Sequence, residues 1–143
     1  TRLDEVKSIV KDYCLRSENG NLSEHDVMIL DTMGELGKMF AFADVAFIGG
    51  SFNKTGGHNP LEATIFAKPV ISGPSIHNFK DIYAIIQNAK AGFVVKTEEE
   101  LYKVADKLFS DAEFYEATAK AGKDVFEEQQ GALEFVLNVL RGN

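Results

Sequence analysis

Short apolar runs, each followed by a loop and then a helical pattern, constrain this chain more than any other feature. We predict strands at these runs, over 27–30, 45–48, 70–72 and 93–95. The runs are continuous rather than alternating, which is typical of parallel strands covered on both faces. The sequence therefore predicts an α/β fold, with a Rossmann-like parallel sheet and helices on both of its faces.

Apolar residues recur at helical spacing in the other segments. We predict helices over 3–13, 35–42, 60–66, 79–88, 97–109, 112–129 and 132–140. Asn59 is expected to cap the third helix, with Pro60 at its first position, and Asn78 to cap the fourth. Thr97 begins a capping box. Gly131 is expected to separate the last two helices.

The last predicted helix is apolar nearly all round, with Phe135 and Val139 opposite its main apolar face. A helix of this kind is normally buried. We expect Phe135 or Val139 to belong to an interface covered by another domain or a second copy. An ordinary exposed valine is the simpler alternative.

Composition bounds the possible functions. The chain has 143 residues, of which 45% are hydrophobic and 26% charged, as expected for a single globular domain over 1–143. Its net charge of −7 disfavours nucleic acid and anionic bilayers as partners. The apolar stretch around 39–50 contains Asp44 and is too short to span a membrane.

Little in the sequence favours a metal site. None of the three histidines, His25, His58 and His77, lies three or four residues from another, and no Asp-x-Asp pair is present. The single cysteine, Cys14, cannot form an internal disulfide, which fits a reducing compartment.

A glycine-rich segment over 49–62 follows the second predicted strand. Its four glycines lie within nine residues, shortly before a predicted helix, so a phosphate could approach the backbone closely. Glu62 either accepts hydrogen bonds from two ribose hydroxyls or caps the helix. His58 either donates to a phosphate or sugar, or is a turn residue. Lys54 either neutralises a phosphate or is solvated, and a lysine in such a loop is more often solvated.

A second candidate loop, over 31–36, follows the first predicted strand. Gly34 would let a ligand meet the backbone, and Met33 could pack on a base because methionine is soft and adaptable. By residue type alone, Met33 is more often a core residue. Both loops lie at the carboxyl ends of strands, where ligands of such sheets bind.

Together these segments resemble one family. In order, the chain contains Asp-Thr-Met-Gly-Glu-Leu at 31–36, Gly-Gly-Ser-Phe at 49–52, Gly-Gly-His-Asn-Pro-Leu-Glu at 56–62, Lys-Pro-Val at 68–70, Gly-Pro at 73–74 and Asn-Phe at 78–79. This combination resembles the C-terminal domain of 3-deoxy-D-manno-octulosonic acid (Kdo) transferases. One departure is Ala63, where that family usually has proline.

The resemblance implies a GT-B glycosyltransferase whose C-terminal half binds CMP-Kdo. The residues implied to line the nucleotide are Met33, Gly34 and Glu35. Those implied to bind phosphate and ribose are Asn59, Pro60, Leu61 and Glu62. Further candidates are Ser51, Gly57 and His58.

The resemblance also implies the wider chemistry. The donor is CMP-Kdo, no metal or other cofactor is needed, and the acceptor is a lipid A precursor. The family's Pro-Arg motif, acceptor domain, catalytic base and membrane-associating segment would precede this chain. We therefore expect an N-terminally truncated, soluble and inactive donor-binding domain, from a parent on the cytoplasmic side of the bacterial inner membrane. No catalytic residue is assigned here.

Two alternatives stay open from the sequence. One is a UDP-sugar glycosyltransferase or epimerase domain of the same fold, since such enzymes also place a carboxylate on a ribose. The other is a nucleotide-binding module without catalytic activity.

Overall fold

The computed structural model describes residues 2–18 and 21–140, with side chains described as far as Gly131. Its strands are β1 (Tyr13–Leu15), β2 (Val27–Ile29), β3 (Ala46–Ile48), β4 (Val70–Ser72) and β5 (Gly92–Val94). Its α-helices are α1 (Arg2–Ile9), α2 (Leu36–Met39), α3 (Leu61–Thr64), α4 (Lys80–Asn88), α5 (Glu98–Ser110) and α6 (Ala112–Leu140). Short 3₁₀ turns lie at Arg16–Glu18, Leu22–Glu24, Phe40–Phe42 and His77–Phe79. Within the described ranges, no helix is both long enough and apolar enough to cross a membrane.

The chain divides into two compact units. The amino-terminal unit ends at Met39 and the carboxy-terminal unit begins at Phe40. Each unit is described by itself below. The prediction of one domain over the whole chain stays a prediction.

The amino-terminal unit contains a two-stranded parallel sheet. Tyr13 of β1 pairs with Val27 of β2, and Leu15 pairs with Ile29. Cys14 and Leu15 are buried, whereas no residue of α1 is. The predicted helix over 3–13 is wrong in its second half, because the helix ends at Ile9 and a strand follows.

The carboxy-terminal unit contains a three-stranded parallel sheet in the order β3-β4-β5. Its strands start or end within one residue of the predicted ones. Val70 pairs with Ala46 on one side and with Gly92 on the other. The continuous apolar run correctly indicated a buried strand at β4, where every residue is buried, whereas Phe47 of β3 is 47% exposed.

Helices cover both faces of this sheet, as predicted. On one face, Val70 packs in a cluster with Ala63 of α3. On the other face, Ile71 packs with Leu108 of α5 and with the aromatic rings at the start of α6. Neighbouring residues of a strand point to opposite faces, so two consecutive positions in β4 belong to two different clusters.

Tight turns lead from α3 and α4 into the next strands. Ala67 and Lys90 have φ angles of 53° and 58°, in the left-handed region. In the first turn, the Lys68 N–H donates to the Ala63 carbonyl and the Ala67 N–H to the Thr64 carbonyl. The turn at Lys90 repeats this pattern, which is the Schellman motif.

In the carboxy-terminal unit, one predicted helix cap is confirmed and one predicted helix break is wrong. Thr97 caps α5 as expected, because its hydroxyl accepts from the Glu100 N–H at 3.2 Å. However, α6 runs through Gly131 as one helix, so the predicted break is wrong. A single glycine costs a helix only about 1 kcal/mol. The predicted interface at Phe135 and Val139 lies outside the described side chains.

Candidate functional site

Two loops leave the same edge of the carboxy-terminal sheet. Ile48 at the end of β3 pairs with Ser72 at the end of β4, and both strands are parallel. The loop over 49–60, here called the glycine loop, and the loop over 73–79, here called the neighbouring loop, therefore begin side by side. Such an edge is where ligands bind in open α/β sheets.

Ser51 joins the two loops from below. Its hydroxyl donates to the Ile48 carbonyl at 2.5 Å and accepts from the Gly73 N–H at 2.8 Å. Its carbonyl accepts from the Ser75 N–H at 2.8 Å. The residue is fully buried. Its hydroxyl is thus occupied by the backbone, and the prediction that Ser51 binds the nucleotide stays a prediction.

Glycine is required at two positions of this arrangement. Gly56 has a φ of 91°, and a Cβ atom there would lie 2.6 Å from His77 Nε2 and from Asn78 Nδ2. A Cβ on Gly73 would lie 2.5 Å from the Ser51 carbonyl oxygen. Any larger residue would push the two loops apart.

Hydrogen bonds close the glycine loop on itself and onto its neighbour. The Gly57 N–H donates to the Gly50 carbonyl at 3.1 Å. The Asn78 side-chain amide donates to the Thr55 carbonyl at 2.9 Å. Asn78 was predicted to cap α4; this is wrong, since no side chain caps that helix and the amide is used for Thr55.

Tyr83 of α4 supports the glycine loop from the core. Its ring is 1% exposed, and its hydroxyl donates to the His58 carbonyl at 3.4 Å. Burial raises the pKa of the Tyr83 hydroxyl, so it stays a neutral donor. His58 itself has an exposed side chain.

The end of the glycine loop is shaped by Asn59. Its side-chain oxygen accepts from the Leu61 N–H at 3.1 Å. The helix begins at Leu61, so Pro60 is the capping residue, one position from the prediction, and α3 ends at Thr64 rather than at 66. Pro60 is fully buried, and Glu62 is exposed. No hydrogen bond joins the Glu62 carboxylate to the described part of the chain.

The second candidate loop belongs to the amino-terminal unit. Met33 is 96% exposed, so the alternative that it is a core residue is wrong. Gly34 has a φ of 80°, and a Cβ there would meet nothing within 4 Å. Met33 therefore exposes an apolar side chain to solvent, and Gly34 exposes its backbone.

Two carboxylates hold this loop in place. Glu35 accepts from the Thr32 hydroxyl and, at 3.1 Å, from the Arg16 guanidinium. The Thr32 hydrogen bond is the main cause that lowers the pKa of Glu35, and Arg16 adds to it. Asp31 accepts from the hydroxyl and the backbone N–H of Ser17, which lowers the pKa of Asp31.

The predicted site residues thus fall into two groups. The amino-terminal unit has Met33, Gly34 and Glu35 on one loop. The carboxy-terminal unit has Ser51, Gly57, His58, Asn59, Pro60, Leu61 and Glu62 on the glycine loop and the start of α3. Their contact with a nucleotide stays a prediction.

An open cavity of about 440 Å³ lies elsewhere, along β5 between α4 and α5. Its lining includes Gln87, Phe93 and Val104, and none of the predicted site residues. This cavity is therefore not part of the candidate site. Among the described residues, no group of three histidine, cysteine or acidic side chains is arranged to bind a metal ion.

The family model for glycosyl transferases group 1 matches residues 9–125. The chain belongs to this family. The match includes most of each unit and every predicted site residue. It agrees with the predicted glycosyltransferase fold class.

Individual relatives show which glycosyltransferases this chain is similar to. The chain is 36% identical over 140 residues to the 3-deoxy-D-manno-octulosonic acid transferase of Haemophilus influenzae, covering 96% of this chain and 33% of that protein. It is 39% identical over 87 residues to the enzyme of the same name from Aquifex aeolicus, covering 61% of this chain and 25% of that one. This chain therefore spans about a third or less of these relatives.

A solved structure gives the same indication. The chain is similar to the C-terminal CMP-Kdo binding domain of WaaA from Acinetobacter baumannii, with a TM-score of 0.74 and 27% identity. The match covers 79% of this chain and 60% of that one. The resemblance to Kdo transferases noted in the sequence is confirmed by these similarities.

The sequence predicted no ligand contact for the neighbouring loop and gave Asn78 only a capping role. Gly73, Ser75 and Asn78 each contact the glycine loop through atoms far apart in sequence. The available signal was the Gly-Pro pair at 73–74, which directly follows a buried strand. It indicated a turn but could not indicate what the turn packs against.

Proposed function

We propose that this chain is the donor-binding part of a Kdo transferase and that it binds CMP-Kdo, for transfer of Kdo to a lipid A precursor. The similarity to a solved CMP-Kdo binding domain, with a TM-score of 0.74, supports this most directly. The curated relatives named as Kdo transferases support the reaction.

The geometry of the glycine loop is compatible with this role. The turn is fixed by buried hydrogen bonds at Ser51, so its backbone does not have to be ordered when a ligand binds. Glu62 offers an exposed carboxylate, without a hydrogen bond to the described residues, just after the loop. We propose that Glu62 accepts hydrogen bonds from the ribose and that the backbone around Gly57 receives the phosphate.

The second loop would contact the base. Met33 is nearly fully exposed and Gly34 leaves the backbone accessible. A polarisable, flexible side chain suits the face of a pyrimidine. In this proposal Glu35 orients the loop, since its carboxylate is already bound by Thr32 and Arg16.

We further propose that donor binding needs no metal ion and that the acceptor-binding site and the catalytic base belong to other parts of the whole protein. Phosphate charge would be met by backbone N–H groups and by His58. A lipid A precursor as acceptor implies that the whole protein works at the inner membrane.

Titration of the chain with CMP, UMP and ADP tests the proposal. We expect CMP to bind in preference to the other two. Preference for UMP would favour a UDP-sugar transferase or epimerase instead, and equal binding of all three would indicate an unspecific phosphate site. EDTA should leave CMP affinity unchanged if no metal is involved.

Glu62→Ala tests the ribose contact. A hydrogen bond to a charged group contributes roughly 1.5–3 kcal/mol, so CMP affinity should fall about 10- to 100-fold. Glu62→Gln should recover part of this loss. Glu113→Ala is the matched control, because Glu113 is also an exposed glutamate in a first helical turn. Unchanged CMP affinity in Glu62→Ala would refute the ribose role.

A further inference from the structure

The neighbouring loop is built into the same surface as the glycine loop. Three contacts join them: Ser51 Oγ with the Gly73 N–H, the Ser51 carbonyl with the Ser75 N–H, and the Asn78 amide with the Thr55 carbonyl. Two of the three contacts are made by Ser51, which is fully buried. A ligand on the glycine loop therefore meets the neighbouring loop in a fixed position.

The side chain of His77, in the neighbouring loop, lies against the glycine loop. Its ring is next to Gly56, where a Cβ atom would come within 2.6 Å of His77 Nε2. The side chain is exposed. Among the described residues its ring nitrogens have no hydrogen-bond partner, so an imidazole N–H is available to a ligand.

CMP-Kdo, the donor in the proposed function, carries a carboxylate in addition to its phosphate. Kdo is 3-deoxy-D-manno-octulosonic acid, the sugar named in the relatives, so CMP-Kdo differs from CMP by a second anionic group. The glycine loop's backbone and Glu62 are assigned to phosphate and ribose. A carboxylate such as Glu62 cannot donate to another carboxylate, whereas the His77 ring lies beside Gly56 of the glycine loop and its ring nitrogens have no partner among the described residues.

We propose that His77 donates a hydrogen bond to the carboxylate of the acidic sugar and thereby distinguishes CMP-Kdo from CMP. This inference rests on the proposed function. It assigns the neighbouring loop to the sugar and the glycine loop to the nucleotide. Gly56 is then the position that allows the imidazole to come close enough to the bound donor.

The test compares two ligands with one set of variants. Calorimetric titration with CMP and with CMP-Kdo gives two dissociation constants for each variant. We expect His77→Ala to weaken CMP-Kdo binding by about 5- to 30-fold, as for a hydrogen bond to a charged group, and to change CMP binding less than about twofold. His77→Gln, which keeps an N–H donor, should lose less affinity.

His25→Ala is the matched control, since it makes the same substitution in the amino-terminal unit and should leave the ratio of the two constants unchanged. Lys54→Ala tests a different exposed donor, which lies on the glycine loop. Loss of CMP-Kdo binding with Lys54→Ala but not with His77→Ala would overturn the assignment. Equal loss of both ligands in His77→Ala would overturn it too, because the contact would then not be with the sugar.

The two proposals fail in different ways. A wild-type chain that binds neither CMP nor CMP-Kdo would remove the proposed function and the His77 contact with it. A wild-type chain that binds CMP-Kdo more tightly than CMP, with His77→Ala unchanged, would remove the His77 contact alone.

Discussion

The loop around Met33 is held by side chains in contact with water, whereas the loop around Ser51 is held by buried backbone groups. In the first, Glu35 and Asp31 accept hydrogen bonds from Arg16, Thr32 and Ser17 at partly exposed positions. In the second, one fully buried serine bridges the ends of two strands. Exposed ion pairs contribute little and depend on pH and salt, while buried hydrogen bonds are costly to lose. The two loops should therefore respond to different perturbations.

Gly73→Ala should give the largest effect, because the added Cβ would lie 2.5 Å from the Ser51 carbonyl oxygen, which belongs to a fixed backbone. Such overpacking typically costs about 1–3 kcal/mol and occasionally more; we expect a loss of about 3 kcal/mol in urea unfolding. Gly49→Ala is the control, since a Cβ there meets nothing within 4 Å. Equal stability of the two variants would show that the neighbouring loop can move away.

Ser51→Ala should come next. The substitution leaves the Gly73 N–H without its acceptor in a buried position, at a cost of about 1–3 kcal/mol. Ser75→Ala is the matched control, because Ser75 joins this network through its backbone N–H. Both variants are compared by thermal unfolding, and a Ser51→Ala variant as stable as Ser75→Ala would contradict the bridging role.

Lys90→Gly should have a smaller effect of the opposite sign. Lys90 has a φ of 58°, a backbone conformation that costs a residue with a side chain roughly 1–2 kcal/mol. Glycine avoids this cost, but part of the gain is lost because glycine gives the unfolded chain more conformational entropy. A net stabilisation of about 0.5–1 kcal/mol is expected. Lys103→Gly, inside α5, should instead destabilise by about 1 kcal/mol. If Lys90→Gly is destabilised, the lysine side chain stabilises the fold by more than its left-handed backbone conformation costs.

Acid should have the smallest effect, confined to the amino-terminal unit. The pKa values of Glu35 and Asp31 are lowered by hydrogen bonds in the folded chain. Their stabilisation is therefore present above the ordinary carboxyl pKa of about 4 and is lost as the pH falls through the lowered values. NMR signals of β1 and β2 should shift as the pH falls below about 4, with β4 signals as the internal reference.

Glu35→Gln sharpens this acid test. The amide cannot ionise, so the variant should lose part of the dependence on pH in β1 and β2 while remaining less stable than the wild type above pH 5. Equal acid sensitivity of β4 and β2 would contradict the comparison between the two loops.

Local signals predicted most of the carboxy-terminal unit. The apolar runs gave β3 and β4 within a residue, and the Thr97 signature gave the start of α5. These features depend on residues that are close in sequence. The Leu3, Val6 and Ile9 pattern also predicted α1, but its spacing extends to Tyr13 and concealed β1, which pairing with β2 stabilises.

The residues proposed for the candidate site could be named from the sequence, but the contacts that hold them could not. The glycines and Glu62 are visible in the sequence, and the exposure of Glu62 agrees with a binding role. The burial of Ser51, the use of Asn78 for Thr55 and the position of His77 against Gly56 all depend on contacts about 20 residues or more apart. No local propensity encodes those contacts.

The central place of β4 has a consequence for how the carboxy-terminal sheet assembles. Val70 pairs with Ala46 before it in the chain and with Gly92 after it, across segments of similar length. Loop-closure entropy rises only slowly with length, so it gives neither pairing an advantage. Side chains then decide how firmly each neighbour is held. Ala46 and Ile48 bring buried apolar surface to the β3 pairing. Phe93 packs with the buried Ile71 and Val95 at the β5 pairing, so apolar contacts support both pairings and either neighbour can join β4 first.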